Sequence, residues 1–199
     1  MYVPPPFRVA DRAALHAFVE RHSFGLLVSQ VEGAPFATHL PFILDRETDT
    51  LVGHVARANP HWQNLADQTV MVVFSGPHAY VSPTWYESPN TVPTWNYTAA
   101  HAYGRATLVE DAAGLLDIVR RSVNHYEAAM PTPWVLPAEG AYVERLLPQI
   151  VGFRIAVERW EGKFKLNQNH PAERREKVRA ALAARGGEDA AVAGMMRKG

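Results

Sequence analysis

The apolar positions along the chain change period several times, and each change marks an element. Leu15, Phe18, Val19 and His22 follow the i, i+3, i+4, i+7 spacing behind Asp11, which predicts a capped helix. Residues 23–31 are a near-continuous apolar run and predict a buried strand. A turn at 32–35, a returning strand at 36–44, a charged turn at 45–49 and a strand at 51–56 complete an expected meander of three antiparallel strands. Asn59-Pro60 is a helix-start signal, with the helix expected to reach about Asp67. Residues 70–74 and 79–82 read as two strands split by a Gly76-Pro77 turn, and 94–109 as one long bent strand. Residues 111–126 carry Leu115, Leu116, Val119, Val123 and Tyr126 on one face, an amphipathic helix. A loop at 130–137, a short helix at 138–147 and a final strand at 150–160 follow. Residues 172–185 then form an Ala-, Arg- and Glu-rich helix anchored by Val178 and Leu182, closed by Gly186-Gly187.

Six or seven short strands with regular turns predict a mainly β, α+β protein, a small antiparallel barrel with peripheral helices. The expected division is one domain over 1–170, a C-terminal helix over 171–186 and a flexible tail over 187–199. Composition narrows the function classes. The 199 residues carry 20 Lys and Arg against 20 Asp and Glu, so no net charge draws the chain to nucleic acid or anionic lipid. The absence of cysteine excludes disulfides, thiolate zinc sites, iron–sulfur clusters and a cysteine nucleophile. No apolar run is long enough to span a membrane and the N-terminus lacks a signal-peptide pattern, so a cytoplasmic protein without membrane contact is expected.

The stretch from Gln68 to Gly104 holds a single formal charge, Glu87, yet seven of the twenty aromatics. It reads as core and dimer interface, or as a pocket for a flat aromatic ligand. Arg57 ahead of the Asn59-Pro60 helix start reads as a phosphate site, or as a surface ion pair beside a cap. The run from Lys163 to Asn169 has lysines and amides without acids and reads as a solvated loop or as a partner for a ligand's polar edge. Histidines 39, 54, 61 and 101 lack metal-ligand spacing, so no metal is expected. No catalytic residue stands out.

Several of these segments, in order, resemble the PaiB family of FMN-binding negative transcriptional regulators. They are Met1-Tyr2-Val3-Pro4, Phe24 to Ser29, Ala37-Thr38-His39-Leu40-Pro41, Gly53 to Pro60, Phe74 to Pro83, Trp85-Tyr86, Val92 to Tyr97, Ile150 to Phe153 and Lys163 to Asn169. Asn167 departs from the family's Lys-Leu-Ser-Gln-Asn pattern, and the tail after Gly186 matches nothing. The resemblance implies a split β-barrel related to pyridoxamine-phosphate oxidases, and a homodimer with FMN in a shared cleft. Arg57 and Asn59 would then take the phosphate. Thr38, His39, Ser82, Trp95 and Asn96 would approach the ring, with His54 among the cofactor contacts. Lys163, Lys165, Gln168 and Asn169 would reach the ring's polar edge. A regulator would need a DNA surface, for which the basic helix at 173–185 is the one candidate and charge gives no support. An FMN-dependent oxidoreductase for a small molecule is the alternative, and a haem-binding split barrel a weaker one.

Overall fold

The computed structural model describes residues 1–66, 68–137 and 140–197. Among them run eight strands and five helices. In chain order these are β1 (Arg8–Val9), α1 (Arg12–Arg21), β2 (Phe24–Val31), β3 (Ala34–Pro41), β4 (Ile43–Asp45), β5 (Thr50–Ala56), β6 (Thr69–Val81) and β7 (Thr94–Val109). They continue as α2 (Ala112–Glu127), α3 (Ala141–Leu146), β8 (Ile150–Lys165), α4 (Ala172–Arg185) and α5 (Gly187–Met196). The strands form one sheet in the order β3-β2-β6-β7-β8-β5-β4, with β1 paired to β8.

Side-chain caps open α1, as expected, and α2. Asp11 accepts from the Ala13 amide at 2.9 Å, and Asp111 from the Gly114 amide at 2.8 Å. The hairpin of β2 and β3 is in the expected antiparallel arrangement, with Leu27 opposite Thr38 and Ser29 opposite Phe36. The third strand does not extend that meander. β3 ends at Pro41 and β4 begins at Ile43, with the Phe42 amide between them donating to the Ser23 carbonyl at 2.9 Å. β5 then pairs with β4 and with β8, Gly53 lying opposite Phe153.

Three further elements differ from the sequence reading. Gly76-Pro77, expected as a turn, lies inside the continuous strand β6. Glycine is required there for space: a Cβ would stand 2.4 Å from Thr98 Oγ1 and 2.6 Å from the Phe18 ring. The helix expected at 59–67 is a five-residue 3-10 turn, Pro60–Asn64, and its proposed end, Asp67, is outside the described residues. Residues 187–196 form α5 where composition suggests a flexible tail, because Val192, Ala193 and Met196 are buried. The first two residues of the helix expected at 138–147, and residues 198–199, lie outside the described set.

The chain divides into two compact units. The first gathers Met1–Phe18, Ser75–Ala100 and Glu161–Gly199. Its core joins Val81, Tyr86 and Leu166 to Val178 and Leu182 of α4 and Val192 of α5. The second gathers Val19–Phe74 and His101–Trp160. There the Phe42 ring meets Phe74 and Phe153 at centroid distances of 5.5 and 6.1 Å, and Ile118 of α2 packs on Ile43 and Val52. Burying each such ring stabilises the fold by about 1.5–3 kcal/mol.

Candidate functional site

In the second unit, strand alternation turns Leu27 and Ser29 of β2 and Phe36 and Thr38 of β3 to one face. His61, on the 3-10 turn, lies against that face and is fully buried. Its Nε2 is 2.7 Å from Ser29 Oγ and its Nδ1 is 2.8 Å from Thr38 Oγ1. Asn59 completes the group. Its Oδ1 accepts from the His61 amide at 3.0 Å, and its Nδ2 donates to Thr38 Oγ1 at 3.2 Å. Both ring nitrogens of His61 are therefore committed, and burial pushes its pKa down, leaving a neutral imidazole at neutral pH. Neutral imidazole carries one N–H. When Nδ1 holds it, His61 donates to Thr38, and the Thr38 hydroxyl proton is free for a ligand oxygen.

Thr38 and Asn59 are thus brought together, through a residue the sequence reading weighed only as a metal ligand. The signal was present: His61 directly follows the Asn59-Pro60 cap. His39, adjacent to Thr38, lies on the opposite, exposed face of β3 and stacks on the exposed Phe24 ring at 6.2 Å. His54 on β5 is half-buried, and burial lowers its pKa as well. Arg57 is already engaged. Its Nε donates to the Pro148 carbonyl at 2.9 Å, Nη2 to the Ile150 carbonyl at 3.3 Å, and Nη1 pairs with Glu110 at 2.9 Å. A phosphate at Arg57 would have to displace Glu110.

In the first unit, Trp95 is half-exposed and forms an aromatic group with His78 and Tyr80, each at a centroid distance of 6.0 Å. Asn96 is fully buried. Its Nδ2 lies 3.8 Å from Met196 Sδ, and its Oδ1 has no donor. Ser82 caps the Pro83–Tyr86 turn, accepting from the Thr84 amide at 3.3 Å. β8 runs five residues beyond its expected end, so Lys163 and Lys165 stand on a strand rather than a loop. Gln168 closes the following turn on itself, accepting from the Leu166 amide at 2.6 Å and donating to the Phe164 carbonyl at 2.5 Å. Asn169 is exposed. Asn167, the residue that departs from the family pattern, adopts φ 63° and donates to the Tyr86 hydroxyl at 2.9 Å. Asparagine tolerates that left-handed backbone better than most residues.

The acid behaviour follows from the buried histidines. His54 and His61 are held below their ordinary value in the folded chain, so the unfolded chain binds more protons below about pH 6.5. Stability is full above that pH and declines as pH falls through it toward the folded values. Melting temperatures taken between about pH 8 and about pH 5 should drop most steeply below about 6.5. A flat profile across that range would contradict the burial of these two rings.

Comparison with known proteins decides the family. A family model described as "Putative FMN-binding domain" matches residues 1–159. A Bacillus subtilis protein named protease synthase and sporulation protein PAI 2 is 39% identical over 173 residues, covering 85% of this chain and 83% of that one. The chain belongs to the PaiB family of FMN-binding domains. An uncharacterised Aspergillus fumigatus protein is 33% identical, covering 82% of this chain and 84% of its own. Among solved structures, the flavocytochrome Anf3 of Azotobacter vinelandii superposes with a TM-score of 0.63 at 18% identity, covering 79% of this chain and 69% of that one. An FAD- and haem-binding protein of Mycobacterium smegmatis superposes with a TM-score of 0.60 at 20% identity, covering 90% and 80%. Those two likenesses place the PaiB chain in the split-barrel fold.

FMN, the cofactor of this family, carries a phosphate, ribityl hydroxyls and an imide edge that both donates and accepts. The residues present fit that chemistry. The Thr38 hydroxyl and the Asn59 amide suit oxyanion or hydroxyl groups. The orphaned Asn96 Oδ1 is the complement of an imide N–H, and Trp95 offers a ring to stack on. Among the described residues no helix is long and apolar enough to cross a membrane, and no cluster of side chains is arranged to hold a metal ion.

Proposed function

We propose that this PaiB-type chain is an FMN-dependent redox protein acting on a small molecule, with Thr38 and Asn59 contacting the flavin's phosphate or ribityl end. The buried Ser29–His61–Thr38–Asn59 group carries this reading, because it holds the Thr38 hydroxyl and the Asn59 amide side by side in fixed orientation. Bound flavin would supply the hydride or electron transfer. The protein's residues bind and orient: His61 sets the Thr38 hydroxyl rotor, and Ser29 fixes the His61 ring in turn. His39, His54 and Arg57 remain candidate contacts in that unit. Trp95, Asn96, Ser82, Gln168 and Asn169, in the other unit, are candidate flavin contacts on the family resemblance alone.

The regulator reading needs a free basic surface on α4. Lys177 there pairs with Glu87 and Glu173, Arg179 with Glu176, and Arg185 with Asp189, which favours a solvated helix over a DNA-reading one. The reading also includes a homodimer in the cytoplasm. The exposed rings of Phe24, Tyr80 and Trp95 support a partner surface. The separating experiment is anaerobic reduction of the FMN-loaded protein by a nicotinamide cofactor, run beside a salt-dependent DNA titration. Reduction faster than that of free FMN, with no DNA affinity beyond background, is expected. Specific DNA binding without flavin reduction would overturn the redox reading.

A further inference from the structure

Lys163 and Lys165 stand two apart on β8, the spacing that turns side chains to one face of a strand. Lys163 is 7% exposed. Its ammonium donates to the Tyr2 carbonyl at 3.2 Å and lies 5.5 and 5.0 Å from the Tyr2 and Tyr97 rings. Lys165 bonds the Thr94 hydroxyl. Among the described residues neither ammonium has a carboxylate within ion-pair distance. The nearest acid along the strand, Glu161, is held by the Met1 ammonium. Lys165 is close enough to Lys163 that its pKa is lowered, first by burial and then by that neighbour. His170 beyond the turn feels burial, then Arg174 and Lys165, all lowering its pKa. Arg174 itself donates to Ser88 Oγ at 2.5 Å.

A buried cation is costly to a fold unless a counter-charge accompanies it, and two side by side compound the cost. Carbonyl, hydroxyl and ring-face contacts offset part of that cost but leave the positive charge uncancelled. A bound oxyanion would cancel it, and Tyr97 and Thr94 add a ring wall and a hydroxyl.

We propose that Lys163 and Lys165, with Tyr97 and Thr94, form a site for the carboxylate or phosphate group of a small-molecule ligand other than the flavin. This goes beyond the FMN reading and does not depend on it: it rests on two neighbouring ammoniums with no carboxylate within ion-pair distance among the described residues. For a redox protein it would mark the substrate as anionic, with its charged end anchored on β8.

The test is calorimetric titration of the full-length protein with inorganic phosphate and, separately, with succinate. Each is run on flavin-free and on FMN-loaded protein, with flavin retention scored by absorption. Binding of at least one probe is expected, unchanged by FMN loading, and weakened about tenfold in Lys165→Gln. Lys165→Arg should keep most of the affinity. Lys163→Met, which removes the buried charge while keeping the chain's bulk, should lose binding and melt no lower than the parent, which keeps the test decisive if Lys165→Gln folds poorly. Binding of neither probe, or full binding by both Lys165→Gln and Lys163→Met, would overturn the proposal. So would loss of phosphate binding on FMN loading, since the oxyanion would then be the cofactor's own. Failure to retain flavin speaks only to the FMN reading.

Discussion

Gly104→Ala should lower the melting temperature by roughly 6–12 °C, from an overpacking cost of about 3 kcal/mol. A Cβ at this position would lie 2.0 Å from the Ala156 carbonyl oxygen and 2.9 Å from its carbon. The obstructing atoms are backbone, so no rotamer change relieves the clash. β7 would have to move away from Ala156, and the sheet carries every candidate ligand contact on strands or on turns tied to them. The contrast with Gly33 isolates the cause. Nothing lies within 4 Å of a Cβ there, so its cost is confined to the left-handed backbone at φ 79°. Thermal unfolding of the two alanine variants should put Gly104→Ala well below Gly33→Ala. Equal melting temperatures would mean that β7 and β8 are not held as closely as described.

The second large effect belongs to His61. Replacing it by leucine keeps the bulk but leaves the nearly buried Ser29 hydroxyl without a partner and frees the Thr38 rotor. An unsatisfied buried hydroxyl costs about 1–3 kcal/mol. The double variant Ser29→Ala with His61→Leu removes both partners together and should regain most of that stability. It cannot restore the hold on Thr38. Flavin affinity should therefore stay about tenfold below the parent in both variants. Chemical denaturation and fluorescence titration with FMN read the two effects separately. Affinity that recovers along with stability would reduce His61 to a packing role.

How much of this was legible in the chain depended on whether local pattern and tertiary demand agreed. For β7 and α2 they did: long periodic segments with a capping Asp111 were read nearly to the residue. At Gly76-Pro77 they conflicted. The dipeptide is turn chemistry, yet the backbone continues in β6 because Phe18 and Thr98 press on the glycine. β8 was cut short because Glu161, Gly162 and Lys163 look polar, while Gly162 lies under Leu15 and Val9, with its Cβ site 2.3 Å from a Leu15 methyl. The order of the sheet was beyond reach, since β5 pairs with β8 about a hundred residues on, a non-local choice that no short-range signal encodes. α5 gave almost no amphipathic signal because its buried side is small, built from Val192, Ala193 and Met196.

The chain named candidate contacts but not their surroundings. Thr38, Asn59, Asn96 and the two lysines came from segments that the family resemblance singled out. What the chain did not disclose is what occupies each group's bonds. Arg57 faces Glu110 and two carbonyls, Gln168 is spent on its own turn, and Ser82 on a cap. Those are three-dimensional facts about partners far along the chain or folded back on it.

The central claim, that this chain holds FMN, is tested most directly by loading purified protein with FMN, desalting it and recording the absorption spectrum with a melting curve. Flavin bands in fixed ratio to protein are expected, with a melting temperature that rises with FMN concentration. A colourless protein whose melting temperature ignores FMN would contradict it.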